Sequence, residues 1–130
     1  MFTLRKCIAT IFIFAVLLSA CSNVATPKNL PDETVNITLN TDPRTPVVGN
    51  NKLIFDIQDS NGQPLLGANV EISADHTDMS GMSMNGLATE QGNGKYAITA
   101  DFSMSGTWKI TVSVQKESLD FTKDFQMSIP

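Results

Sequence analysis

The sequence predicts an all-β protein, a seven-stranded immunoglobulin-like β-sandwich that follows a cleaved signal peptide and a flexible tether. Three observations predict it. Beyond Cys21 no window places apolar residues at helical spacing for more than two turns. Apolar and polar residues instead alternate in short runs, the period of a strand with one buried face. Clusters of Gly, Asn, Asp and Pro separate those runs at regular intervals.

The N-terminus reads as a processed segment. Arg5 and Lys6 precede the uncharged run from Ile8 to Leu18, whose roughly 11 residues are too few for a comfortable membrane span. The run closes on Leu18-Ser19-Ala20-Cys21, which resembles the lipobox of bacterial lipoproteins, with residues 1–20 as signal peptide and Cys21 as the lipidated residue. A plain secretory signal cut near Ala20 is the alternative. With Cys7 removed and Cys21 acylated, no thiol remains for a disulfide, a thiolate metal site or a nucleophile. The location expected is extracytoplasmic, on a bacterial cell membrane or outer membrane. Ser22 rather than Asp after the Cys favours the outer membrane under the Gram-negative sorting rule.

Loss of residues 1–20 leaves seven of the nine basic residues against all thirteen acids, a net charge of −6. That charge repels phosphate backbones and anionic headgroups, so nucleic acid is excluded as a partner and the acyl chains must supply the membrane attachment. Residues 21–33 carry Pro27 and Pro31 among polar neighbours without periodicity and read as a lipidated tether.

Residues 34–130 form the folded domain. Val35, Ile37 and Leu39 mark the first strand, and Leu53, Phe55 and Ile57 the second, after a loop through Pro43, Pro46 and Gly49. Asp59-Ser60-Asn61-Gly62 is a turn, because Asn-Gly tolerates positive φ. Val70, Ile72 and Ala74 mark the third strand, and Leu87 to Gln91 a short fourth one closed by Gly92-Asn93-Gly94. The fifth carries Tyr96, Ile98, Ala100 and Phe102. The sixth carries Trp108, Ile110, Val112 and Val114, with Trp108 as a core anchor. Phe121, Phe125 and Met127 mark the last, where Lys123 breaks the alternation. One sheet would leave an apolar face in water, so two sheets must face each other. A small β-barrel is the competing architecture.

The segment Asp75 to Gly86 reads as a loop of a different kind. Three of the five Met residues beyond Met1 and the only His fall within it, among Ser, Gly, Asp, Asn and Thr. Thioethers are neutral, polarisable donors suited to Cu(I), and imidazole accepts Cu(I) or Cu(II). The spacing from His76 through Met79 and Met82 to Met84 lets a bent loop converge three sulfurs and one nitrogen on one ion. Gly81 and Gly86 permit the bends, and Asp75 and Asp78 are available as Cu(II) ligands or to orient His76. Met104 is a candidate fourth sulfur. The competing structural reading makes Met82 and Met84 alternating core positions of a strand edge and leaves exposed Met as an oxidation buffer. A lone His in a loop is ordinarily solvated.

No Ser stands in a nucleophile-elbow context, one His restricts any triad to that loop, and no glycine loop cradles phosphate. The expectation is therefore that the protein is not an enzyme.

Three separated pieces carry a family resemblance: Asp59-Ser60-Asn61-Gly62-Gln63-Pro64-Leu65-Leu66-Gly67-Ala68-Asn69-Val70, the loop ending in Met82-Ser83-Met84, and Gly94-Lys95-Tyr96 with the run from Phe102 to Ile110. In that order they resemble the YtkA-like domain, a small β-sandwich of bacterial envelope proteins related to the FixH proteins of cytochrome oxidase assembly. The resemblance spans Asn51 to Gln126. It implies a copper-related role outside the cytoplasm, with Met79, Met82, Met84 and Met104 as the matching positions. A lipidated tether in place of the membrane helix of FixH-type members is a departure from that pattern. Together these readings give a lipid-anchored copper carrier, buffer or delivery factor, with copper as Cu(I) and an envelope protein receiving it. The alternative is a metal-free sandwich module for interaction or assembly in the cell envelope.

Overall fold

Eight strands build the protein in a computed structural model that describes residues 34–130. They are β1 (Asn36–Asp42), β2 (Gly49–Gln58), β3 (Asn69–His76), β4 (Ser83–Leu87), β5 (Thr89–Gly92), β6 (Lys95–Phe102), β7 (Gly106–Lys116) and β8 (Leu119–Ile129). One antiparallel sheet has the order β1-β2-β6-β5 and the other β4-β3-β7-β8, the two-sheet arrangement of an immunoglobulin-like sandwich. The expected signal peptide, the expected lipidation site Cys21 and the expected tether lie outside the described residues.

Alternation selects the inner faces. Leu53, Phe55 and Ile57 of β2 meet Ile110, Val112 and Val114 of β7, and all six are fully buried. Val70, Ile72 and Ala74 extend the core on β3, and Tyr96, Ala100 and Phe102 extend it on β6. Trp108 is buried in the same core, as its sequence position predicts. Among the described residues the core runs from Val35 to Ile129.

The strand count corrects the expectation of seven. The fourth predicted strand, Leu87 to Gln91, is the meeting point of two strands that belong to different sheets. Leu87 pairs with Glu71 of β3, whereas Thr89 pairs with Ala97 of β6. Ala88 is the crossing point, and its N–H donates to the Val70 carbonyl. The sheets approach closely there: a Cβ added to Gly86 would stand 2.8 Å from Ile98 Cδ1 on the facing sheet. A chain that crosses between sheets keeps a continuous polar–apolar rhythm, which is why two strands read as one.

Lys123 falls on an inward position of edge strand β8 yet does not end the strand. Its ammonium donates to the Ile37 carbonyl of β1 at 3.2 Å and lies 4.9 Å above the Phe125 ring. It therefore spans the open side of the sandwich between two edge strands, and an inward charge of this kind discourages edge-to-edge pairing.

Two buried polar side chains order the connections. Asn51 accepts from Val47 N–H at 2.9 Å and donates to the Val47 and Gly49 carbonyls at 2.6 and 2.9 Å, fixing the β1–β2 loop. The Tyr96 hydroxyl donates to the Leu65 carbonyl at 2.8 Å and accepts from Ala68 N–H at 3.1 Å, pinning the β2–β3 connection. Burial pushes this phenol above its ordinary value of 10.0; the Ala68 bond opposes the rise and the Glu90 carboxylate adds to it.

A raised folded-state pKa makes this contribution complete below about pH 10 and lost as pH climbs through the folded value. Tyr96→Phe is expected to lower stability near neutrality by about 1–3 kcal/mol through loss of the two bonds. It is also expected to flatten the alkaline decline. Urea unfolding of both proteins across about pH 7 to 11 checks this, and identical alkaline slopes would contradict it.

Candidate functional site

The expected loop from Asp75 to Gly86 is largely a hairpin. Strand β3 runs on through His76, a tight turn spans residues 77–82, and β4 begins at Ser83. The inward alternation of Val70, Ile72 and Ala74 continues to His76, so the imidazole enters the sandwich and is only 8% exposed. Asp75 and Ser83 pair, as do Ala74 and Met84, and His76 N–H donates to the Met82 carbonyl at 3.0 Å. Met84 and Gly86 are therefore the half-buried positions of β4, between the exposed Ser83, Asn85 and Leu87, and Met82 just before the strand keeps the same alternation. The strand-edge reading of Met82 and Met84 describes their backbone.

Register then assembles a row across the inner face. Trp108 of β7 stands opposite His76 on one side and opposite Met127 of β8 on the other. The imidazole meets the indole edge-on, with centroids 5.1 Å apart and planes at 80°. Phe102 meets the same indole at 5.1 Å and 67°. The indole N–H donates to the Met104 carbonyl at 3.2 Å, which ties the β6–β7 turn onto this row. Met82, His76, Trp108 and Met127 thus line one end of the sandwich, and Met104 is bonded above them.

His76 is held by both nitrogens. Asp78 N–H donates to Nδ1 at 3.2 Å, which places the proton on Nε2, and Nε2–H donates to the Ser105 carbonyl at 3.1 Å. The backbone of Asp78, not its carboxylate, supplies the orienting contact. Asp75 sits at a position that alternates with the inward Ala74 and His76 and so belongs to the outer face. Gly106 closes over the ring: with φ at +126°, a Cβ there would stand 2.5 Å from Nε2.

The sulfur side chains differ in exposure. Met82, Met84 and Met104 are half-buried and pack against the core, Met127 is buried, and Met79 on the turn is 45% exposed. Met84 also borders a cleft of about 250 Å³ between β4 and β6, whose other walls include Ile98 and Asp101. The structure thus brings Met82, Met84, Met104 and His76 to one end of the molecule and leaves Met79 on its outer tip. Among the described residues no three His, Cys, Asp or Glu side chains gather, so thioethers are the concentrated donors at this end. Sequence reasoning missed Met127, whose place in the row depends on the β7–β8 register. It also missed the burial of His76, although the even-numbered alternation from Val70 signals it.

Residues 30–113 match a family profile described as YtkA-like, well over half of the chain. The match starts upstream of β1 and ends within β7, leaving β8 outside it. No curated protein matches the sequence. The crystal structure of the PmoD soluble domain from Methylocystis sp. ATCC 49242 (Rockwell) is similar in fold, with a TM-score of 0.51 and 14% identity over 75% of this chain and 92% of that one.

Gly106→Ala is expected to destabilise the domain by about 1–3 kcal/mol, because it combines a strained φ with displacement of the imidazole. Denaturant unfolding reads this directly, and an unchanged midpoint would show that the ring is not held where described.

Proposed function

The chain belongs to the YtkA-like family, and from that premise we propose that it binds copper outside the cytoplasm as a carrier, buffer or delivery factor. One observation carries the reading: His76, Met82 and Met84 of the β3–β4 hairpin and Met104 of the β6–β7 turn come to one end of the sandwich, with Met79 on its tip. Neutral thioethers favour Cu(I), and the chain offers no thiolate after Cys21 to compete with them. Met82 and Met84 supply donors from the β3–β4 hairpin, Met79 stands on its exposed tip, and His76 lies between the hairpin and Trp108.

The same donor set suits transfer better than storage. Uncharged sulfurs on an edge strand and a turn hold the ion without charge neutralisation, so a receiving envelope protein can exchange ligands one at a time. A diacyl group on Cys21 would hold the domain at a membrane surface through the tether. Among the described residues no helix is long and apolar enough to cross a membrane. Intact mass measurement of the membrane-extracted protein is expected to show cleavage before Cys21 and an acylated Cys21; an unmodified chain starting elsewhere would remove the anchor from the account.

The core packing of Met82 and Met84 favours a second reading, a metal-free interaction module. Replacing Met79, Met82 and Met84 together by Leu distinguishes the two. Leucine conserves volume, at a cost of under about 1.5 kcal/mol per buried site. In an anaerobic competition titration against a chromophoric Cu(I) chelator, residues 22–130 are expected to bind one ion and the folded triple variant none. Failure of the unaltered domain to compete, or equal binding by the variant, would contradict the copper reading at this hairpin.

A further inference from the structure

Resting on the copper reading, we propose that the ligands are the sulfurs of Met82, Met84 and Met104 alone, and that His76 is a positioning residue that never touches the ion. The site then takes monovalent soft cations, Cu(I) and Ag(I), and rejects Cu(II).

A metal needs an unprotonated ring nitrogen with its lone pair free. Nδ1 has the lone pair, but Asp78 N–H occupies it at 3.2 Å. Nε2 carries the proton, directed at the Ser105 carbonyl at 3.1 Å, and the Gly106 backbone covers that nitrogen. Coordination through either nitrogen would leave a backbone group in a mostly buried setting without its partner. The ring is wedged as well, edge-on against Trp108 in a position with 8% exposure.

The same contacts show what the ring does. Through Nδ1 it holds the turn between β3 and β4, and through Nε2 it holds the turn between β6 and β7. The first turn leads into Met82 and Met84, and the second carries Met104. Two further bonds reinforce these connections: the His76 backbone N–H donates to the Met82 carbonyl, and the Trp108 indole N–H donates to the Met104 carbonyl. The His76–Trp108 pair is thus a platform with methionines fastened to it from two directions. Met84 on β4 and Met82 just before it share the half-buried alternation, and both pack against the core. Met79 sits on the exposed tip and does not pack on the core, so it stays outside the ligand set.

Selectivity follows from the donors. Cu(II) prefers nitrogen and oxygen ligands, and this end offers no free imidazole and no carboxylate cluster among the described residues. Three thioethers suit Cu(I), and Ag(I) serves as its redox-inert probe.

Residues 22–130 carry one His and one Trp, which makes both reporters unambiguous. The first experiment follows the 15N resonances of His76 in the unaltered domain with and without one equivalent of Ag(I). The expected result is binding, read as a change in Trp108 fluorescence, with the Nε2–H tautomer retained. A large shift of either ring nitrogen, or coupling to silver, would overturn the proposal while leaving copper binding intact. Absence of any Ag(I) or Cu(I) binding would overturn it together with the copper reading. The second experiment compares two single variants. Met104→Leu is expected to weaken Ag(I) about 10–100-fold, the scale on which metal-site substitutions act. Met79→Leu is expected to leave it unchanged, and the reverse order would overturn the ligand set.

Discussion

The edge-on contact between His76 and Trp108 is the constraint on which one end of this molecule depends. Its two rings occupy facing positions of β3 and β7, and each carries a polar atom that must be satisfied away from water. Backbone groups of adjacent turns satisfy them: Asp78 and Ser105 for the imidazole, Met104 for the indole. Two separate turns, β3–β4 and β6–β7, are thereby fixed to one aromatic pair. Gly106 is required because the ring fills the space where a side chain would begin.

Around that pair the sandwich places residues by register rather than by sequence proximity. Met127 arrives opposite Trp108 although it lies at the far end of the chain, and Met82 arrives beside His76 through the hairpin. Between the two edge strands Lys123 bridges β8 to β1. A net charge of −6 on the residues beyond 20 makes the surface acidic and draws cations of any kind toward it. Choice among those cations then rests with the sulfurs, since a diffuse surface field does not distinguish Cu(I) from a harder ion.

Much of the fold was legible in the sequence because a strand's period of two is explicit in its residues. The inner faces of β2, β3, β6 and β7, the Asn61-Gly62 turn and the burial of Trp108 all follow from it. The crossing at Ala88 was not legible, since a chain that leaves one sheet for the other keeps the same rhythm. The hairpin residues show the same limit from the other side. Polar neighbours made Asp75 to Gly86 read as a loop, yet the parity set by Val70, Ile72 and Ala74 already assigned His76 to the interior. What the sequence could not supply was the partner of each ring nitrogen, because Asp78 and Ser105 contribute backbone atoms that no residue type advertises.

The most direct measurement of the central claim is X-ray absorption at the copper edge of the domain loaded with one equivalent of Cu(I). The account predicts a first shell of sulfur alone, without the multiple-scattering signature of an imidazole. A nitrogen or oxygen shell with that signature would contradict it, as would copper that does not remain with the protein.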